Sequence, residues 1–98
     1  MAKIIWTSEA ERWITDIYDY IAVDNPIAAK KVVRGIYKRV QILSQFPEIG
    51  YRYEESARNV RILLYGHYRI AYLVTESQDC SILGVFHGSL DIVRHIKI

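Results

Sequence analysis

Apolar residues recur with a helical period along the first half of the chain and with an alternating period along the second. Ala10, Trp13, Ile14, Ile17, Tyr18 and Ile21 lie three and four apart and define the buried face of a first helix. Ser8 followed by Glu11 has the spacing of a capping box and predicts the start of that helix. Asn25-Pro26 predicts its end, because a residue before proline is pushed out of the helical region. The same pair opens a second helix, with Asn25 as N-cap and Pro26 at the first helical position. Ala29, Val32, Val33, Ile36, Val40 and Leu43 continue the period until Phe46-Pro47. Joined this tightly, the two helices form an antiparallel hairpin. Gly35 inside the second helix costs about 1 kcal/mol relative to alanine, and a close helix–helix crossing is the expected compensation.

Strands are predicted at Lys3 to Trp6, Tyr51 to Tyr53, Val60 to Tyr65, Tyr68 to Thr75 and Cys80 to His87, with turns at Gly66-His67 and Glu76 to Asp79. The last ten residues, Ser89 to Ile98, read as a short helix capped by Ser89. The order β-α-α-β-β-β describes an antiparallel sheet with helices segregated to one face, an α+β domain. Register decides which side chains share a face. A two-residue loop at Gly66-His67 pairs Leu64 with Arg69; a three-residue loop pairs Tyr65 with Arg69 and Arg61 with Leu73. The longer loop gathers Ile62, Leu64, Ile70, Tyr72 and Val74 toward the helices and sets Arg61 and Arg69 together on the other face. Burying an unpaired guanidinium is costly, so the longer loop is the expectation.

At 98 residues the chain is predicted to form a single domain over 1–98. No apolar run approaches the roughly 20 residues a bilayer requires, and acids at Glu9 and Glu11 follow too soon for a secretory leader. A cytoplasmic protein without membrane contact is expected. Cys80 is the single cysteine, so no internal disulfide can form. Net charge is only +2, but its distribution is uneven. Glu9, Glu11, Asp16, Asp19 and Asp24 crowd the first helix, whereas Lys30, Lys31, Arg34, Lys38 and Arg39 fill the second without an intervening acid.

Three constellations follow. Arg61, Arg69 and His87, with Tyr65 nearby, resemble a site for a phosphodiester, in which arginines stabilise developing charge and histidine transfers a proton. The alternative is a solvated sheet face whose arginines pair with Glu54, Glu55 or Asp91. Lys30, Arg34 and Lys38, at i, i+4 and i+8, form a basic ridge suited to an acidic partner segment or a phosphate backbone. Pairing with the acidic first helix, or plain solvation, is the other reading. His67, His87 and His95 lack metal-ligand spacing, and no phosphate loop or nucleophile motif occurs, so neither metal nor cofactor is expected.

Across nearly its whole length the chain resembles the RelE/ParE toxin superfamily. The matching blocks are Trp6-Thr7 with Ala10, Ile17-Tyr18-Asp19-Tyr20-Ile21-Ala22, Asp24-Asn25-Pro26 with Ala28-Ala29, and Leu43 with Phe46-Pro47 and Gly50. Val60-Arg61, Tyr65-Gly66-His67-Tyr68-Arg69-Ile70-Ala71-Tyr72, and Val85-Phe86-His87-Gly88 with Asp91 extend them. The resemblance implies the toxin half of a type II toxin–antitoxin module, of the kind also called plasmid stabilisation proteins. Such a toxin is held inactive by a cognate antitoxin and reaches operator DNA only through it. Lys30, Arg34, Lys38 and Tyr65 are the candidate partner-binding residues. Two targets are implied. RelE-like members are endoribonucleases that cleave mRNA at the ribosome without a metal, and Arg61, Arg69 and His87 are the candidate catalytic residues under that reading. ParE-like members poison DNA gyrase. Leu63 stands where a second basic residue often sits in the nucleases, and Ser89-Leu90-Asp91 replaces their arginine and tyrosine. Phe86-His87-Gly88 and Asp24-Asn25-Pro26 are more ParE-like, which favours gyrase. An inactive member that only binds antitoxin, a decoy, is the third possibility.

Overall fold

The computed structural model describes residues 1–88. In chain order it contains β1 (Ile4–Trp6), α1 (Ser8–Ala22), α2 (Pro26–Val40), a 3-10 turn (Gln41–Ser44), β2 (Tyr51–Arg52), β3 (Val60–Tyr65), β4 (Tyr68–Val74) and β5 (Cys80–His87). The predicted terminal helix from Ser89 lies outside the described residues. The α+β order is as the patterning predicts, and β3 and β5 span the predicted residues.

Helix α1 starts one residue earlier in its capping than Ser8 would place it. Thr7 is the N-cap: its Oγ1 accepts from the Ala10 N–H at 3.1 Å and donates to the Ile82 carbonyl at 2.7 Å. One hydroxyl therefore caps the helix and ties it to β5. Asn25 caps α2 as expected, its side chain accepting from the Ala28 N–H at 3.0 Å, with Pro26 in the first turn. Phe46-Pro47 is preceded by the 3-10 turn, so α2 itself ends at Val40.

The sheet order is β1-β5-β4-β3-β2. It is mixed rather than purely antiparallel, because β1 pairs with β5 in parallel. A strand with no hairpin neighbour carries no turn signal for its direction, so this pairing was not visible in the patterning.

Register differs from expectation. Tyr65 pairs with Tyr68 across a two-residue turn, and Leu64 pairs with Arg69. Gly66, at φ 56°, occupies the first turn position, where a type II′ hairpin requires glycine. Leu64 is 52% exposed, so this register leaves it outside the core, and the half-buried Arg69 is not an unpaired charge there, since it donates to the Gly88 carbonyl. Leu63, Ile70, Tyr72 and Val74 face the helices and join Ile14, Ile36 and Val40 in the main core. Ile62 falls on the opposite face with Ala71 and Phe86, a second cluster joined by the ring of Trp13. Between β4 and β5 the register shifts at Ala71/Tyr72, with Ala71 opposite Gly84 and Tyr72 opposite Ile82. That bulge turns Ile82 and Cys80 into the main core, where strict alternation from Val85 would have faced them outward.

Candidate functional site

The second helix presents the clearest unsatisfied chemistry. Lys30, Arg34 and Lys38 recur every fourth residue, so they stack along one exposed face over about 12 Å at 1.5 Å per residue. With Lys31, Ile27, Gly35 and Tyr65 they line an open groove of about 550 Å³ between α2 and the end of β3. Gly35 explains the groove's floor. A Cβ at Gly35 would overlap the Tyr65 hydroxyl, so the absent side chain is what lets the phenol ring lie against the helix. The compensation for a helical glycine is thus a tyrosine from the sheet, not the predicted crossing of α1. Arg39, on the next face, donates through Nε to the Leu64 carbonyl at 3.1 Å and ties α2 to β3.

No acid lines this groove. Among the described residues, Lys30, Lys31, Arg34 and Lys38 make no ion pair, and the acids of α1 do not reach them. Glu11 instead accepts from the Tyr37 hydroxyl at 3.4 Å, and burial together with that carboxylate raises the Tyr37 pKa. The structure therefore gathers all four predicted partner-binding residues into one surface. Four ammonium and guanidinium groups beside a phenol ring suit carboxylates or phosphates presented by a partner.

Arg61, Arg69 and His87 are not brought together. Arg61 shares the helix-facing side with Tyr72, whereas Arg69 pairs with Leu64 and Phe86 on the opposite side. This corrects the expectation that both arginines share one face, and its cause is the two-residue turn. The Arg61 guanidinium is occupied: Nε donates to Asn59 Oδ1 at 3.1 Å, and one terminal nitrogen donates to the Glu48 and Gly50 carbonyls at 3.1 and 2.8 Å. Its other terminal nitrogen pairs with Glu48 Oε2 at 3.3 Å. Arg69 donates to the Gly88 carbonyl at 3.2 Å. His87 is exposed at the far end of β5, its ring 6.2 Å from His67 and edge-on to Tyr68 at 5.9 Å. Four residues of β3 separate Arg61 from the level of Tyr65 and His87, about 13 Å along the strand.

A second groove, about 530 Å³, was not foreseen. Trp13, Asp16, Ile17 and Tyr20 of α1 face Tyr68, Val85 and His87 of the sheet across it. Tyr20 sits off the buried period of α1, and that was its signal. Burial, with the Tyr20 phenol nearby, raises the Tyr68 pKa. Cys80 is fully buried and its thiol is pushed up to about 11, first by desolvation and then by Asp79, so it stays a protonated core group. Among the described residues no group of three His, Cys, Asp or Glu could hold a metal ion. None of their helices is long and apolar enough to cross a membrane.

Fold and groove together define a small α+β module with an open ridge of cations along its second helix. Residues 4–92 match the family described as the ParE toxin of the type II toxin–antitoxin system parDE, and the chain belongs to that family. It is 34% identical over 86 residues to "Putative toxin Y4kP" of Sinorhizobium fredii (strain NBRC 101917 / NGR234), covering 88% of each chain. It is also similar to a chain of the chromosomal ParDE TA system from P. aeruginosa, with a TM-score of 0.74 and 26% identity, over 89% of this chain and 96% of that one. The chain is thus a ParE-type toxin, and membership implies an antitoxin partner.

Proposed function

We propose that this toxin arrests growth by poisoning DNA gyrase in the cytoplasm, and that its antitoxin silences it by laying an acidic segment along the α2 groove. The observation carrying the second half is the set of four exposed cations, Lys30, Lys31, Arg34 and Lys38, none of them neutralised within the described residues. A disordered acidic segment that orders on binding would gain charge-assisted contacts along the whole helix face and a stacking surface on Tyr65. Support for gyrase comes from membership of the ParE family. It also comes from the separation of Arg61 and Arg69 on opposite faces, which leaves no point where both could hold one phosphodiester.

The test is supercoiling by purified gyrase with micromolar toxin, run beside a ribosome-dependent mRNA cleavage assay. Loss of supercoiling without mRNA cleavage is the expected result. Cleavage without gyrase inhibition would overturn the gyrase target in favour of the nuclease reading and return Arg69 and His87 to the catalytic list. Silence in both assays, with antitoxin still binding, would identify the decoy.

A further inference from the structure

Among the described residues, the turn between the helices carries the three most exposed large apolar side chains after Met1. Tyr20, Val23 and Ile27 are 84%, 85% and 81% exposed, and they follow one another across the α1–α2 junction. Neighbouring apolar side chains left this bare mark an interaction surface more often than isolated ones do. On the α1 side the patch continues into Asp16 and Asp19, both exposed, and on the α2 side into Lys30, Lys31 and Arg34. The hairpin is therefore acidic on one arm, basic on the other and apolar at its tip.

We infer that this tip docks a second copy of the chain through a two-fold axis running parallel to the helices. That axis sets α1 of one protomer opposite α2 of its partner. Val23 then meets Ile27 at the centre, and Asp16 and Asp19 come level with Lys30, Lys31 and Arg34 to within a helical turn. Opposite charges face each other twice, because an isologous contact repeats every pairing. The other in-plane two-fold axis would set α1 against α1 and α2 against α2, like charge on like, so the charge pattern selects a single arrangement. Three apolar side chains a protomer make a small interface, and weak, concentration-dependent association follows. Lys30, Lys31 and Arg34 also belong to the proposed antitoxin groove, so dimer and antitoxin compete for them; self-association is measured on toxin alone, and its failure leaves the antitoxin reading untouched.

Sedimentation velocity on the full-length toxin, freed of antitoxin, tests it between about 1 and about 100 µM, the range in which a small interface dissociates. The expected result is a monomer at the low end and a dimer at the high end. Val23→Lys and Ile27→Asp, made separately, each suit the charge preference of the helix end they occupy and so preserve folding, checked by circular dichroism. Each should weaken the dimer at least about tenfold. Lys30→Glu with Lys31→Glu should weaken it comparably, and adding Asp16→Lys and Asp19→Lys should restore it, because the swap keeps the two arms complementary. A wild-type monomer at the highest concentration would overturn the inference. So would a dimer indifferent to Val23→Lys and Ile27→Asp, or a charge swap that fails to restore association.

Discussion

Two basic regions of this molecule look alike in the sequence and differ completely in the fold. Arg61 spends its whole guanidinium on the Glu48–Gly50 segment and on Asn59, making the one ion pair among the described residues. Gly50 completes that corner: its N–H donates to the Tyr72 hydroxyl at 2.9 Å, and a Cβ there would press on the Ile62 carbonyl and the Tyr72 ring. Lys30, Arg34 and Lys38 spend nothing on the fold. Removing a bonded arginine leaves carbonyls and a carboxylate without their donor, so its effect falls on stability. Removing an exposed, unpaired cation leaves the fold unchanged, so any effect must appear in binding. Charge is thus a structural element at one place and an interaction surface at the other, and partner inventory separates them.

That contrast can be broken in several ways. The largest effect should come from reversing the ridge with Lys30→Glu, Arg34→Glu and Lys38→Glu. Affinity for antitoxin should fall by about 4 kcal/mol, roughly a thousandfold, in calorimetric titration. Chemical denaturation of the same protein should show stability within about 0.5 kcal/mol of wild type. Arg61→Ala should do the opposite, losing about 2–3 kcal/mol of stability in urea unfolding while antitoxin affinity measured well below the midpoint stays close to wild type.

A smaller effect sharpens the role of Gly35. In a Tyr65→Ala background, Gly35→Ala should stabilise the protein by about 1 kcal/mol through helix propensity alone. In the wild-type background the same substitution should gain nothing, because the Tyr65 phenol must swing away. Equal gains in both backgrounds would deny the seating of Tyr65 on Gly35.

The smallest effect is on pH. The Cys80 thiol stands at about 11 in the fold against an ordinary 9.0, so the folded state favours the protonated form. Its contribution is complete below pH 9 and is lost as pH climbs from 9 through 11. Melting temperature should decline over that window, and less steeply in Cys80→Ala. The native thiol should also resist alkylation at pH 8.

Much of this was legible from residue order. Alternation of Val, Ile and Tyr marked β3 and β5, and Asn25-Pro26 marked the hairpin junction, because those signals are local. The ridge was legible too, since cations at every fourth position of one helix share a face whatever lies beneath. The placement of Arg61 and Arg69 on opposite faces was not, because strand register turns on where one residue, Leu64, is tolerated outside the core. A leucine half exposed beside Arg69 costs little, and nothing local announces it. Capping failed by one position for a similar reason: Thr7 wins over Ser8 by also reaching the Ile82 carbonyl, a contact 75 residues away. Gly35 was visible as an anomaly, but its partner lay in a strand 30 residues further on.

The most direct measurement of the central claim is antitoxin binding to the wild-type toxin and to a Lys30→Ala, Arg34→Ala, Lys38→Ala variant. Each would be titrated at about 50 mM and about 500 mM salt, on either side of the range where surface charges become screened. The account predicts tight, steeply salt-dependent binding for the wild type, and weaker binding with a much shallower salt dependence for the variant. Equal affinity and an equal salt response in the two proteins would contradict it, and would place the antitoxin somewhere other than the α2 groove.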